Sequence, residues 1–256
     1  MHIMIFLETL ILAVALNLAV FLVAFYLRSD KLTDFTYGMS FVAIALYAGQ
    51  GFFNNPHITL ISFLIGLWAL RLSVYLVIRI RKINRDKRFD EMRDNFLKFG
   101  RFWLLQGISA WVIMIPAIFA LSLPDRPFSL PTYLGLAIWI IGFYFEAVGD
   151  YQKYIFINNP KNKGKWIGSG LWALTRHPNY FGEISMWIGL YIISFPLLTT
   201  FQTVIALVSP LWITILLVFL TGIPILEKGS DKKWGRQKDY KEYKKHTPIL
   251  IPFTKI

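Results

Sequence analysis

The chain has 256 residues, of which 55% are hydrophobic and 17% aromatic, and its formal net charge at pH 7 is +12. A soluble domain of this length is rarely so apolar, and the apolar residues come in blocks long enough to cross a bilayer. The chain has no cysteine, which excludes disulfides and thiolate metal sites, and its four histidines lack metal-ligand spacing. We predict an all-α polytopic membrane protein without a metal centre.

The apolar blocks predict seven transmembrane helices. In chain order the predicted spans are Ile3–Leu27, Phe35–Phe53, Ile58–Ile78, Phe102–Leu123, Pro131–Ile157, Glu183–Thr199 and Thr203–Leu226. Each is long enough to cross roughly 30 Å of hydrocarbon, and the sixth is the shortest. The first span has no basic region before it and no cleavage site, so we expect a retained helix rather than a signal peptide.

The distribution of lysine and arginine predicts the orientation of these spans. With the N-terminus outside, all of the 27 basic residues except Arg71 and Arg126 fall in segments that face the cytoplasm. The positive-inside rule therefore favours an N-out, C-in arrangement. Contact with anionic lipid explains the net charge, and a second interpretation is that the same face receives an anionic cofactor. We expect membrane lipids as partners and no nucleic acid.

Polar residues occur within several predicted spans, where they are costly. In the first span, Glu8 is expected near the outer interface, and for Asn17 and Glu8 a structural role explains the residue as well as a functional one. In the third span, Arg71 follows Trp68 by one turn and lies too deep to reach the interface without an internal partner.

The fifth span carries two carboxylates. Gly142, Glu146 and Asp150 recur every four residues and therefore share one helix face, with Gln152 just beyond them. Two carboxylates one turn apart near a membrane repel each other unless cations or hydroxyl donors offset their charge. We predict a buried pair that faces Arg176 or ligand hydroxyls. The alternative is that both carboxylates reach the aqueous loop at the helix end.

The densest group of reactive side chains lies in the sequence GLWALTRHPNYFG, which runs from Gly170 to Gly182 between two apolar blocks. Together with the residue that follows, it supplies a cation, an imidazole, an amide, a phenol and a carboxylate: Arg176, His177, Asn179, Tyr180 and Glu183. Ionisable groups near a bilayer mark functional sites by default, so this segment is the first candidate for one.

The C-terminal tail has a pattern of its own. Glu227 closes the seventh span, and a basic segment with Tyr240 and Tyr243 follows. Two prolines in the closing PILIPF sequence favour an extended strap over a helix there. We interpret the tail as a cap over a cofactor.

These residues carry a resemblance to a known family. GLWALTRHPNYFGE, preceded by Gly142, Glu146 and the Asp150-Tyr-Gln152 sequence and followed by Glu227 and a tyrosine-rich tail ending in IPF, resembles the steroid 5-alpha-reductase superfamily. The most similar branch is its bacterial-type DUF1295 members. The resemblance extends over most of the chain, with weaker matches at 34–38 and 68–72. It implies a single membrane reductase domain over 1–256, whose cofactor-binding part is mainly 142–256.

The resemblance also implies a reaction. In the family, NADPH occupies a cytoplasm-facing cavity formed by the later helices, and a lipophilic substrate enters from the bilayer. Hydride passes to the beta carbon of an enone while a polar group hydrogen-bonds the carbonyl oxygen. The expected function is NADPH-dependent reduction of a carbon–carbon double bond conjugated to a carbonyl in a steroid-like or other lipid. The expected location is a bacterial inner membrane, or the endoplasmic reticulum in a eukaryote.

The family's Asn-aromatic-x-Gly-Glu motif falls on Asn179, Tyr180, Gly182 and Glu183, so the resemblance implies that Asn179 and Glu183 contact the cofactor. The family's fifth-helix aspartate falls on Asp150, which is implied to do the same. The full set of implied cofactor-binding residues is Arg71, Glu146, Asp150, Arg176, His177, Asn179, Tyr180, Glu183, Glu227, Tyr240 and Tyr243.

The chain departs from the family pattern at the catalytic positions. Glu146 stands where the steroid enzymes carry asparagine, and Trp68 stands where they carry a catalytic tyrosine. The family's substrate-polarising glutamate in the second helix has no convincing match, and the nearest polar residues are Tyr47 and Gln50. The candidate catalytic residues, expected to contact the substrate, are therefore Tyr47, Gln50 and Trp68.

Two other classes of function remain open. Isoprenylcysteine carboxyl methyltransferases share an Arg-His-Pro-x-Tyr-x-Gly core, a following glutamate and a proline-rich tail, and they use S-adenosylmethionine. Asn179, Glu183 and the Asp150-x-Gln152 pair favour the reductase instead. The third class is a non-catalytic membrane scaffold or lipid-binding protein, against which the density of polar residues argues. The identity of the substrate and the oligomeric state stay open.

Overall fold

The computed structural model describes residues 2–50, 55–83, 89–90, 92–124 and 126–254. All regular structure in this part of the chain is helical. The chain divides into two compact units. Unit 1 comprises Met1–Tyr133 and Leu190–Ser209, and unit 2 comprises Leu134–Gly189 and Pro210–Ile256. The predicted cofactor-binding part, 142–256, therefore falls in unit 2 apart from Leu190–Ser209.

The helices follow one another in a simple order. They are α1 (His2–Tyr26), α2 (Thr33–Gly49), α3 (Pro56–Ile83), α4 (Phe96–Leu121), α5 (Leu130–Asn158), α6 (Leu171–Leu174), α7 (Pro178–Ser194), α8 (Thr200–Ala206), α9 (Val208–Ile215), α10 (Ile223–Trp234) and α11 (Lys238–His246).

Six helical stretches in the described residues are long and apolar enough to cross a membrane: Met4–Tyr26, Pro56–Ile78, Phe96–Leu121, Leu130–Asn158, Pro178–Leu197 and Thr200–Trp234. The predicted class of multi-pass integral membrane protein is confirmed. The remaining predicted span corresponds to α2, a helix of 17 residues whose predicted continuation to Phe53 lies outside the described residues. The N-out orientation stays a prediction.

Several predicted helix boundaries differ from the structure. The fourth span was predicted to begin at Phe102, but α4 begins at Phe96, and the third was predicted to end at Ile78, but α3 continues to Ile83. The sixth span was predicted to begin at Glu183, but α7 begins at Pro178, because proline is well tolerated in the first helical turn. The seventh span was predicted as one continuous helix. It is interrupted after α9 by a π-helical turn over Leu216–Leu220 and by Gly222, and helix then resumes in α10. At Gly222 a β-carbon would collide with the carbonyl oxygen of Leu217, so the break requires glycine.

In unit 1, α1 packs antiparallel against α4. Near one end, the ring of Phe6 stacks on Phe119 with 5.3 Å between centroids, and near the other end Phe21 contacts Phe96 at 5.0 Å. The buried Asn17 has a structural role between them. Its amide donates to the hydroxyl of Ser40 at 2.9 Å, and its oxygen accepts from Gln106 at 2.9 Å.

In unit 2, α5 and α7 meet backbone to backbone along a seam of glycines. A β-carbon on Gly142 would lie 2.6 Å from the carbonyl oxygen of Gly182, and one on Gly189 would lie 2.7 Å from that of Gly135. Both pairs are spaced seven residues apart along their helices, as small residues are at close membrane-helix contacts. A further glycine at the same spacing, Gly149, lies against Asn179. This seam fixes the end of α5 beside the start of α7.

Candidate functional site

The loop that carries the predicted motif is anchored to the end of α5. Gly170 has a φ of +61°, and a β-carbon there would lie 2.5 Å from the side-chain nitrogen of Gln152. The next backbone N–H, of Leu171, donates to the Gln152 side-chain oxygen at 2.9 Å. The positive φ favours glycine at this position, and a β-carbon there would also displace the Gln152 side chain from its hydrogen bond.

Trp172 locks the same loop from the other side. Its indole N–H donates to the carbonyl oxygen of Gly149 at 3.0 Å, and the ammonium of Lys153 lies 4.8 Å from the centre of its ring. The hydroxyl of Tyr243 donates to the carbonyl oxygen of Trp172 at 2.7 Å. Burial raises the pKa of the Tyr243 phenol, which therefore stays protonated and able to donate. Trp172 therefore connects the loop to both α5 and α11.

Glu227 is the centre of an ion-pair cluster formed by residues far apart in sequence. Its carboxylate pairs with Arg176 at 2.5 Å, with Nε2 of His177 at 3.0 Å and with Lys244 at 2.9 Å. Lys244 also reaches Asp231 at 2.7 Å. The Arg176 and Glu227 side chains are only 12% and 17% exposed, so these contacts are largely shielded from water. The cluster ties the Arg-His-Pro segment to α10 and α11.

His177 is buried and has a defined protonation state. Burial lowers its pKa, and the opposing effect of the hydrogen bond and charge of Glu227 is smaller. Neutral His177 can donate to a carboxylate only through a protonated Nε2, which leaves Nδ1 as an acceptor. Nδ1 has no hydrogen-bond partner among the described residues, and neither does Nε of Arg176. The ring stacks on Tyr180 with 5.6 Å between centroids.

The predicted carboxylate pair of α5 is buried, with Glu146 3% and Asp150 5% exposed. The alternative that both reach the aqueous loop is therefore wrong. The side-chain amide of Asn179, in the first turn of α7, donates to Asp150 at 3.1 Å. Glu183 lies one turn further along α7 and is half-buried. Arg176, which we expected opposite the carboxylate pair, forms its ion pair with Glu227.

The proline-containing end of the tail lies along the motif as a strap. As predicted, it is not helical, but it runs through bends and a turn at 252–253 rather than as extended backbone. The backbone N–H of Arg176 donates to the carbonyl oxygen of Pro248 at 2.9 Å. The hydroxyl of Thr175 donates to the carbonyl oxygen of Leu250 at 2.8 Å. The basic segment before the strap is helical, in α10 and α11, rather than irregular.

A cavity of about 140 Å³ opens among these elements, between the end of α5, the loop before α7 and α10–α11. Aromatic rings and cations line much of it: Trp166, Trp234, Tyr240, Lys153, Lys165 and Arg176. The rings of Trp166 and Tyr240 meet edge to face at 5.2 Å. This lining suits a planar ring joined to an anionic group. Within the described residues no three His, Asp or Glu side chains assemble as metal ligands.

The predicted substrate-contact residues lie in unit 1, as does Arg71. The hydroxyl of Tyr47 interacts with the carboxylate of Glu8 and with the side chain of Gln50. Trp68 is buried and packs against Phe41 at 4.8 Å between ring centroids. From the sequence we expected Glu8 near the outer interface and identified no partner for its carboxylate. A lone carboxylate in an apolar span is itself a signal that a polar partner exists.

The guanidinium of Arg71 lies 5.5 Å from the ring centre of Tyr75, one turn along α3. The other predicted cofactor residues are in unit 2, where the structure brings them together in two groups. One is Asp150 with Asn179, and the other is Arg176 and His177 with Glu227. The sequence did not identify Lys244 as a site residue, because a lysine one position after Tyr243 in a basic tail gives no distinguishing signal.

Comparison with known proteins connects this geometry to a family. The family model described as "Protein of unknown function (DUF1295)" matches residues 20–247. The Delta(14)-sterol reductase TM7SF2 of Mus musculus is 29% identical over 173 residues, which are 60% of this chain and 39% of that protein. The Probable O-methyltransferase ustE of Ustilaginoidea virens is 44% identical over 46 residues, 18% of this chain and 16% of that protein. Each of these two matches thus spans less than half of the length of the relative.

No solved structure matches the chain. The family match begins in α1, ends just after α11 and includes the two groups of polar residues in unit 2. The resemblance to the steroid 5-alpha-reductase superfamily is confirmed by this match together with the sterol reductase relative. The chain belongs to the DUF1295 family.

Proposed function

We propose that the protein is an oxidoreductase that uses NADPH to reduce a carbon–carbon double bond conjugated to a carbonyl in a lipophilic substrate. The similarity to a sterol reductase over 60% of the chain supports the reaction class. The observation that carries the proposal is the Asp150–Asn179 hydrogen bond, because it unites the two motif positions that the resemblance assigns to the cofactor.

The residues present fit a dinucleotide of this kind. Lys153, Lys165 and Arg176 border the cavity and supply positive charge for phosphate groups. Nε of Arg176, without a partner among the described residues, retains an N–H for an anion even while Glu227 holds the other side of the guanidinium. Trp166 and Tyr240 supply aromatic surface for a ring. The cavity is smaller than the roughly 300–1,000 Å³ of most ligand pockets, so it receives one end of the cofactor only.

Asn179 and His177 provide directional contacts. Having donated one amide hydrogen to Asp150, Asn179 keeps a second N–H and a carbonyl oxygen, which complement a carboxamide or a ribose hydroxyl. His177 presents an acceptor at Nδ1 because Glu227 fixes its tautomer. Bound NADPH would supply the hydride. The strap over Thr175 and Arg176 would hold the motif in place and exclude water.

The substrate is expected to be a lipid because the protein is embedded in the membrane. Its carbonyl oxygen gains negative charge during hydride transfer and needs a donor aimed at it. Tyr47, whose hydroxyl interacts with Glu8 and Gln50 in unit 1, is the candidate that the sequence offers for this donor, and its role stays a prediction. Trp68, buried against Phe41, is assigned to the wall of the substrate site rather than to proton transfer.

A second candidate is methyl transfer from S-adenosylmethionine, which the short similarity to an O-methyltransferase supports. The two candidates differ in the charge of the cofactor. NADPH carries phosphates that need the cations around the cavity, whereas S-adenosylmethionine is a sulfonium cation with no phosphate. The three cations of the lining, Lys153, Lys165 and Arg176, therefore favour NADPH.

A ligand titration of the purified full-length protein separates the candidates. We expect NADPH to raise the melting temperature, since binding to the folded state alone stabilises it by mass action, and we expect no shift with S-adenosylmethionine. Lys165→Gln should weaken NADPH binding, and Lys161→Gln, which changes an exposed lysine outside the cavity lining, serves as the matched control. A shift with S-adenosylmethionine and none with NADPH would reverse the order of the two candidates.

A further inference from the structure

An apolar groove on unit 1 lies between α1 and α4, and the polar clusters described above contribute no residue to it. Its volume is about 500 Å³, and eight of its nine lining residues are apolar or glycine: Leu18, Ala19, Phe21, Leu22, Phe96, Leu97, Gly100 and Leu104. The ninth is Arg101. Because both helices cross the membrane, this groove faces lipid rather than water.

Small residues create the groove. Ala19 and Gly100 leave its floor open, and a β-carbon on Gly100 would lie 3.3 Å from the ring of Phe21, which is itself buried there. The walls are long and exposed, with Leu22 58% and Leu97 68% accessible. From Leu97 to Leu104 the groove runs roughly 10 Å along α4, at about 1.5 Å per residue. An apolar groove of this volume can accommodate a segment of an acyl chain.

The groove has a positive charge on its wall, at Arg101, which lies between Leu97 and Leu104 along α4. Arg101 is exposed and forms no ion pair with a described residue. Lys98, one turn before it on α4, is also exposed, and Arg28 just after α1 pairs weakly with Asp94 at 3.8 Å. Basic residues at the end of membrane helices bind the head groups of anionic lipids. An apolar groove with an exposed guanidinium on its wall is complementary to a phospholipid with a negative head group.

We propose that this groove is a binding site for an anionic phospholipid, with an acyl chain between α1 and α4 and the phosphate on Arg101. The lipid fills the space that Ala19 and Gly100 leave and completes the packing of α1 against α4. The proposal depends on the membrane location of the protein and not on the proposed reductase reaction.

Native mass spectrometry of the full-length protein tests it, with delipidated samples given phosphatidylglycerol or phosphatidylcholine of identical acyl chains. We expect the wild type to retain phosphatidylglycerol about five-fold better than phosphatidylcholine, the effect of one basic residue at an anionic lipid. Arg101→Gln should abolish this preference. Arg236→Gln, a change at an exposed arginine outside the groove, should leave it intact.

Filling the groove should remove the lipid altogether. Ala19→Phe places a ring on the floor of the groove, whereas Ala15→Phe places the same ring on an exposed position one turn away that does not line it. We expect Ala19→Phe alone to lose phosphatidylglycerol, with melting temperatures recorded to establish that both variants are folded. Equal retention by the two variants would overturn the proposal. So would equal retention of both phospholipids by the wild type, or occupancy by a lipid without phosphate.

Discussion

Replacing Glu227 by glutamine removes the negative charge that Arg176, His177 and Lys244 share. Removing one partner of a buried ion pair costs roughly 3–5 kcal/mol, whereas an exposed pair contributes at most about 1 kcal/mol. The Arg176 and Glu227 side chains are 12% and 17% exposed, and glutamine retains an acceptor oxygen. We therefore expect a loss of about 2 kcal/mol, between these limits.

Thermal unfolding of the protein in detergent measures this loss. For a chain of this size it corresponds to a decrease in melting temperature of roughly 4–8 °C. Glu242→Gln is the matched control, because Glu242 is 62% exposed and pairs with His246, which is 64% exposed, at 3.2 Å on the same helix. We expect the control to shift by less than roughly 2 °C. Equal shifts for the two variants would refute the view that Glu227 holds the motif to the tail.

Three further outcomes are expected. Asn179→Ala and Glu183→Ala should weaken NADPH binding roughly ten- to hundred-fold, the effect of one lost hydrogen bond to a charged group, with little effect on yield; normal binding by both would make the motif structural. Acidification from pH 7 to 5 should destabilise the protein, because burial lowers the pKa of His177 and the unfolded state therefore takes up a proton in this range more readily than the folded state does. His177→Gln should flatten this part of the stability–pH profile. Gly182→Leu should strongly lower the melting temperature by separating α5 from α7, whereas Gly66→Leu, at a site with open space, should not; similar losses would contradict the glycine seam.

Much of the fold could be predicted because long apolar blocks report directly on spanning helices. The interruption between α9 and α10 could not be predicted, because Leu216–Leu220 are as apolar as a continuous helix would be. Gly222 and Pro224, which lies in the first turn of α10, mark the break, but glycine and proline are both common within membrane helices. The seven-residue spacing of Gly135, Gly142 and Gly149 was present in the sequence and could have predicted the seam with α7.

The site was predicted in part. Local motifs identified Asp150 and Asn179, whose contact follows once α5 and α7 are packed together. The ion pair of Arg176 with Glu227 was not predicted, because several carboxylates could satisfy this cation and only the path of α10 brings Glu227 to it. Lys244 was not predicted, because its role depends on where α11 docks and not on its neighbours in the chain.

The proposed reaction is tested most directly by following the hydride itself. Full-length protein in lipid nanodiscs would be given NADPH deuterated at either face of the nicotinamide C4, together with a panel of lipophilic enones. Mass spectrometry and NMR of the products would locate the label. The account predicts deuterium at the beta carbon of a reduced enone, from one face of the cofactor only. Absence of label from every enone, together with methyl transfer from S-adenosylmethionine to a lipid acceptor, would contradict it.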